Sequence, residues 1–203
     1  MASRLRLPTR MIMNRGYSLL EMLVVVTLVI IVSGMAVPIM SSAVDHARTA
    51  AAARYLAGKL MLNRMDAVKR STFVALRFEA RDGRYQFRTF VDGNGDGLRA
   101  ADVTRNIDLP HGLSEGLDYH FPGVSFGISE GVLPVSPDEE LNGDPIRIGR
   151  SEFLSFSPLG SATSGTLYIR GRPKHQYAVR ILGVTGRISV LRFDFSQRRW
   201  IDA

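Results

Sequence analysis

Arg15-Gly16-Tyr17-Ser18-Leu19-Leu20-Glu21 leads into an uncharged run over residues 22–44. A helix needs about 20 apolar residues to cross a bilayer hydrocarbon core, so the run predicts a membrane helix. Glu21 is the anomaly, because an ionised carboxylate near the end of such a segment costs about 2 to 3 kcal/mol or more unless a cation meets it. No Lys or Arg follows until Arg48, about 40 Å further along a helix rising ~1.5 Å per residue. The partner must come from elsewhere, and the simplest candidate is a free backbone ammonium. Cutting the chain after Gly16 would create one at Tyr17, too close along its own helix for good pairing but well placed for the Glu21 of a neighbouring copy. The alternative is an ordinary transmembrane anchor with an accidental Glu, or a cleaved secretory signal with Gly34-Met35-Ala36 as its small-residue site. The apolar run exceeds the core of about 7 to 15 residues that such signals carry.

A basic leader, a glycine, an aromatic residue, a short spacer, a glutamate and a long apolar helix resemble the class III signal of type IV pilins and type II secretion pseudopilins. The resemblance implies that prepilin peptidase cuts after Gly16 and methylates the new amino terminus at Tyr17, where the family usually has Phe. It also implies that Glu21 serves assembly with other pseudopilins or pilins on an inner-membrane platform.

The 203 residues carry a formal charge of +7, of which Arg4, Arg6, Arg10 and Arg15 supply four, leaving +3. The excess is mostly topological. Arginines ahead of an apolar run keep the leader cytoplasmic and send the remainder across, into the periplasm of a bacterium. The expected localisation is therefore a single-pass inner-membrane protein with its C-terminal domain in the periplasm. The expected divisions are a leader at 1–16, a transmembrane helix at 17–43 in contact with lipid, and a periplasmic domain at 44–203. That domain divides into an amphipathic helix at 44–70 and a β domain at 71–203. The absence of cysteine excludes disulfides and thiolate metal sites, so packing alone must stabilise the domain.

Pro38 removes a helical hydrogen bond and predicts a kink or loosened turn. Beyond it Ala53, Ala57, Leu60, Met61, Met65 and Val68 share one helical face, read as core-facing, with Asp45, Arg48, Lys59, Asn63, Asp66 and Arg70 opposite. The helix is expected to reach about Arg70. The period then changes to two. Runs at 72–78 and 85–91 flank Asp82-Gly83, a strong hairpin signal. Further strands are expected at 119–121, 145–148, 153–156, 166–170, 176–182 and 187–195, with a mobile loop over 128–144. One long helix followed by strands predicts an α+β fold in which antiparallel sheet packs on the helix, the pilin-like architecture that the resemblance also implies.

At the far end, Phe156-Ser157-Pro158-Leu159-Gly160-Ser161-Ala162-Thr163-Ser164-Gly165-Thr166-Leu167-Tyr168-Ile169 is followed by Ala178-Val179-Arg180-Ile181 and Thr185-Gly186-Arg187-Ile188. This succession resembles the C-terminal signature of the pseudopilin H and FimT-like minor pilin family. It implies a minor pseudopilin near the tip of a type II secretion pseudopilus, or alternatively a FimT-like minor type IV pilin acting in pilus assembly or DNA uptake.

Asp92-Gly93-Asn94-Gly95-Asp96-Gly97 has the alternating oxygen ligands and turn glycine of a calcium loop. The closing Glu is missing: Val103 stands in its place and Asp102 is one residue early. The loop is read as an Asx- and Gly-rich turn with no required cofactor, and at most a weak calcium on Asp92, Asn94 and Asp96. Gly112-Leu113-Ser114-Glu115-Gly116 matches the hydrolase elbow pattern, but an elbow needs a buried strand before it and a helix after it, whereas Pro110 and His111 precede here. His46, His111, His120 and His175 show no metal-ligand spacing. No enzymatic activity is expected.

Residues 115–144 hold seven acids and no Lys or Arg, whereas eight bases from Arg170 onward face only Asp194 and Asp202. A basic C-terminal face, with Arg187, Arg198 and Arg199, suits either nucleic-acid phosphates or the acidic loop of another subunit. FimT-like pilins carry a second Arg two places after the Gly-Arg pair, where this chain has Ser189.

Overall fold

The computed structural model describes residues 16–137, 141–149, 152–172 and 174–203, without the side chains of 35–39. In it α1 runs over Leu19–Arg70. Ser18 starts the helix: its Oγ accepts the Glu21 N–H at 3.4 Å, and its carbonyl accepts the Met22 N–H at 3.1 Å. Ser18-Leu19-Leu20-Glu21 thus has the Ser-x-x-Glu spacing of a capping box, with an acid in the first turn where the helix dipole favours it. The helix ends as sharply. Ser71 takes φ 54°, its N–H bonds to the Val68 carbonyl at 3.3 Å and the Thr72 N–H bonds to the Ala67 carbonyl at 3.2 Å. That pair of bonds is a Schellman cap. Helical assignment continues through Pro38, so the expected loosened turn does not interrupt α1.

The chain forms two compact units, Met1–Met40 and Ser41–Ala203. In the described part of the first unit every side chain from 16 to 34 is exposed, Leu19, Leu20 and Val32 to 85, 73 and 66%. The one hydroxyl within the apolar stretch, Thr27 Oγ1, donates to the Leu23 carbonyl at 2.6 Å. Among the described residues no helix is long and apolar enough to cross a membrane; the undescribed side chains of 35–39 fall inside the run 22–44. The leader residues 1–15 also lie outside the description.

In the second unit, α1 buries Thr49, Ala50, Ala52, Ala53, Leu56, Leu60, Asn63 and Ala67. Ala53 and Leu60 face inward as expected, and Ala57 packs partly against the core. Met61, Met65 and Val68 are instead exposed and Asn63 is buried. Where the buried face begins, a Cβ on Gly171 would fall 1.9 Å from Thr49 Oγ1, so the chain at Gly171 lies close against the helix.

Two antiparallel sheets complete this unit. The first has the order β3-β2-β1-β6 and the second β10-β9-β8-β7-β4, with β5 also paired to β7. In the first sheet, β1 (Val74–Arg81) and β2 (Arg84–Val91) form the expected hairpin. Its turn residues Asp82 and Gly83 have φ 51° and 73°, the positive angles a two-residue primed turn requires. β3 (Leu109–Gly116) and β6 (Phe153–Phe156) flank it. The second sheet holds β4 (Ser125–Phe126), β5 (Ile146–Arg147), β7 (Gly165–Arg170), β8 (Gln176–Leu182), β9 (Arg187–Asp194) and β10 (Arg199–Asp202). Leu56 and Leu60 of α1 share one core with Leu76 and Phe87 of the first sheet and Leu167, Ile169, Val179 and Ile181 of the second. Behind the first sheet Ala75, Phe90 and Phe153 form a smaller cluster under Leu98 and Val103.

The strand expected at 119–121 is instead the helical turn α3 (Leu117–His120); short apolar runs do not distinguish the two states. Three strands lay outside the expected set, β3, β4 and β10, together with the short helix α2 (Ala100–Thr104). β3 contains Pro110 and Gly112, which read as strand breakers. An edge strand tolerates proline, and the β2–β3 register shifts between Phe87 and Thr89 beside Gly112 at φ 83°.

Candidate functional site

Gly16 and Tyr17 precede α1, with Tyr17 75% exposed, and Glu21 lies in its first turn. These residues belong to the first unit, and every other site residue considered belongs to the second.

The Asp92 loop closes on its own backbone. Asp92 is buried, its Oδ1 accepting the N–H groups of Asn94 and Gly95 at 3.0 and 2.7 Å and its Oδ2 that of Gly97 at 2.9 Å. Asp108, fully buried, accepts the N–H groups of Gly93 and Arg99 at 3.1 and 3.2 Å. Asp96 is turned to Arg99 at 3.0 Å. Among the described residues no group of three or more His, Cys, Asp or Glu is arranged to hold a metal ion. Asp92→Ala is expected to cost about 2 to 3 kcal/mol by stranding N–H groups bonded to a charged acceptor, read as a lowered thermal midpoint.

Ser114 stands within β3, its Oγ donating to Gln86 Oε1 at 3.1 Å. Beside it lies a cluster that no sequence spacing indicated. Glu115 accepts hydrogen bonds from the Tyr55 hydroxyl and from Lys59 Nζ, the latter at 2.7 Å, with His120 Nε2 at 3.5 Å. Four residues apart on α1, Tyr55 and Lys59 share a helical face, so one carboxylate ties the helix to β3. Burial alone would raise the Glu115 pKa, but the bonds from Lys59 and Tyr55 outweigh it and hold the carboxyl below its ordinary value. The Glu115 bond lifts Lys59, and burial followed by the same carboxylate lifts Tyr55. A depressed carboxyl binds fewer protons folded than unfolded. Its stabilisation is therefore present above the ordinary carboxylate pKa and lost as pH falls through the folded value. Glu115→Gln is expected to lower the thermal midpoint at neutral pH and flatten its decline in acid, measured by melting from neutral pH through the carboxylate range.

Where α1 meets β8, His46 Nε2 lies 3.0 Å from the Tyr177 hydroxyl, and the His46 and His175 rings are 5.2 Å apart. Burial, then His46, lowers the His175 pKa, and its buried Nε2 has no hydrogen-bond partner among the described residues.

The segments of the C-terminal signature converge under Arg64. Its Nε donates to the Gly160 carbonyl at 2.9 Å and its Nη2 to the Thr185 carbonyl at 3.0 Å. A Cβ on Gly186 would lie 2.2 Å from the Gly160 oxygen, so glycine there permits the two turns to touch. Leu159 and Val184, at the tips of these turns, are 94 and 93% exposed.

Arg187 begins β9, Arg198 occupies the β9–β10 turn at φ 50°, and Arg199 pairs in register with Asp194. All three are exposed. Among the described residues none of the eight bases from Arg170 onward forms an ion pair, whereas Glu115 and Asp118 of the acidic stretch are held by Lys59 and Arg84.

No family model and no curated protein matches the chain. In structure it is similar to the minor pseudopilin EpsH from the type 2 secretion system of Vibrio cholerae, with 16% identity and a TM-score of 0.45, over 71% of this chain and 97% of that one.

Proposed function

We propose that the chain is a minor pseudopilin of a type II secretion system, cut after Gly16, methylated at Tyr17 and assembled near the tip of a periplasmic pseudopilus. The observation that carries this is α1 over 19–34, exposed on every side and uncharged but for Glu21 in its first turn. Such a surface is stable only in apolar surroundings, first lipid and then the helices of neighbouring subunits. Met61, Met65, Val68, Leu159 and Val184 add exposed apolar surface on the second unit, of the sort that marks a protein contact. Prepilin peptidase, other pseudopilins, the inner-membrane platform and lipid are the partners this role requires. The work is mechanical and takes neither a catalytic residue nor a cofactor; the self-closed Asp92 loop needs no ion to hold it, and any calcium there is weak. Recovery of the processed chain in sheared pseudopili, beside the other pseudopilins, tests the proposal. Its absence from pseudopili that assemble normally overturns it.

The bases from Arg170 onward, which form no ion pair among the described residues, favour a second reading, a FimT-like minor type IV pilin that contacts DNA. That alternative requires salt-dependent DNA binding that is lost on replacing Arg187, Arg198 and Arg199 together.

A further inference from the structure

The first turns of α1 in the second unit press against the turn that joins β7 to β8. Thr49 is fully buried, its Oγ1 donating to the Asp45 carbonyl at 2.7 Å, and a Cβ on Gly171 would fall 1.9 Å from that hydroxyl oxygen. The Gly171 N–H closes the turn on the His175 carbonyl at 2.8 Å. On the same side His46 of α1 meets His175 and Tyr177, with the two imidazole rings 5.2 Å apart and His46 Nε2 3.0 Å from the Tyr177 hydroxyl.

The two rings are not equivalent. The hydroxyl beside His46 Nε2 can give or take a hydrogen bond, so that nitrogen is satisfied whether its ring is neutral or charged. His175 Nε2 is buried and has no partner among the described residues. A buried N–H without an acceptor is the costlier state, so the neutral ring keeps its proton on Nδ1 and leaves Nε2 bare. A second proton must then go where no acceptor meets it, out of water and beside another imidazole.

The surrounding charges do not compensate. Burial and then His46 hold the His175 pKa down, and the Ser42 backbone and Asp45 carboxylate of α1 oppose them only in part. Arg48 lies 3.7 Å from that carboxylate. Lys174 of the β7–β8 turn and Arg192 of β9 add positive charge around a hollow of about 220 Å³ beside the rings, and Arg54 of α1 adds more near Tyr177. The acid that lines this hollow, Asp194 of β9, accepts the Ser196 and Gln197 N–H groups at 2.8 and 3.2 Å.

We propose that His46 and His175 form an acid-sensitive clasp, which holds residues 41–49 of α1 against β8 while His175 is neutral and releases them when it takes up a proton. Below the ordinary imidazole value the unfolded chain binds a proton at His175 that the folded one refuses. The hold is therefore complete above that value and is lost as pH falls through the folded one, a window above that of Glu115. The clasp lies within the second unit and does not depend on the filament proposal.

Hydrogen exchange of the full chain in non-ionic detergent, read by mass spectrometry as protection factors at about pH 7.5 and about pH 5.5, spans the ordinary imidazole value. Protection over 41–49 should fall in acid by about fivefold or more, the factor that one buried unsatisfied donor costs, while the β1–β2 hairpin keeps its own. His175→Asn cannot titrate and should hold 41–49 equally at both values. If that variant is already loose at neutral pH, the ring itself decides: its Cε1 proton, followed by NMR in the wild type, should titrate below the ordinary value and in step with the loss of protection. A ring that titrates at or above the ordinary value, an acid loss that His175→Asn leaves unchanged, or an equal loss in the hairpin overturns the proposal.

Discussion

Gly16→Ala is expected to accumulate as the uncut chain, heavier than the mature protein by residues 1–16, with the second unit folded as in the wild type. A Cβ at position 16 meets nothing within 4 Å, and the glycine does not occupy the left-handed region. The substitution therefore introduces neither a clash nor backbone strain, and any loss of processing reflects the peptidase. A pocket closed on a bare glycine discriminates against one added methyl by about 10- to 200-fold, enough to turn nearly complete processing into a minor fraction. Intact mass of the membrane-extracted protein reads the result directly. A mature chain that still begins at Tyr17 in the variant, or a wild-type chain that begins anywhere else, would remove the premise on which the assembly proposal stands.

The hairpin was legible because it is a local pattern with a local cause. Asp82-Gly83 supplies the two positive φ angles that a tight turn demands, whatever surrounds it. The helix face was legible in part: Ala53 and Leu60 are buried as their spacing suggests, while Met61 and Met65 are exposed and Asn63 is buried, because which stripe faces inward is set by where the sheets lie. β3 was hidden for a related reason. Pro110 and Gly112 weaken a strand in isolation, but at a sheet edge only one side of the backbone needs partners, and β2 supplies them.

The long-range polar groups were the least legible of all. Glu115 meets Tyr55 and Lys59 across about sixty residues of sequence, and Arg64 joins turns at Gly160 and Thr185. A spacing search sees none of these, because the elements that bring them together are themselves tertiary. The pairing of β5, β7 and β8 is intermediate: each strand was expected, but the alignment of Arg147, Thr166 and Arg180 follows from register, which the separate strands do not specify.

Glu21→Ala is expected to insert into the membrane as well as the wild type, or better, and to fail in assembly. The bond that caps α1 runs from the backbone N–H of residue 21 to Ser18 Oγ, and an alanine preserves that donor while favouring the helix. Removing the carboxylate also removes the cost of about 2 to 3 kcal/mol for carrying it in an apolar segment. Neither folding nor insertion then accounts for a defect. Between subunits the balance reverses. If the carboxylate of one copy neutralises the Tyr17 ammonium of the next in lipid-like surroundings, deleting it leaves a buried cation unpaired, at about 3 to 5 kcal/mol. At about 1.4 kcal/mol per factor of ten, incorporation into sheared filaments should fall by two orders of magnitude or more, with the membrane fraction undiminished. Glu21→Gln separates charge from shape: it keeps the size and a hydrogen-bonding end but cannot neutralise an ammonium, and should fail nearly as completely. Filaments containing the alanine variant at the wild-type level would show that Glu21 serves its own helix end alone, as the first-turn acid of a capping box, and the axial pairing would have to be abandoned.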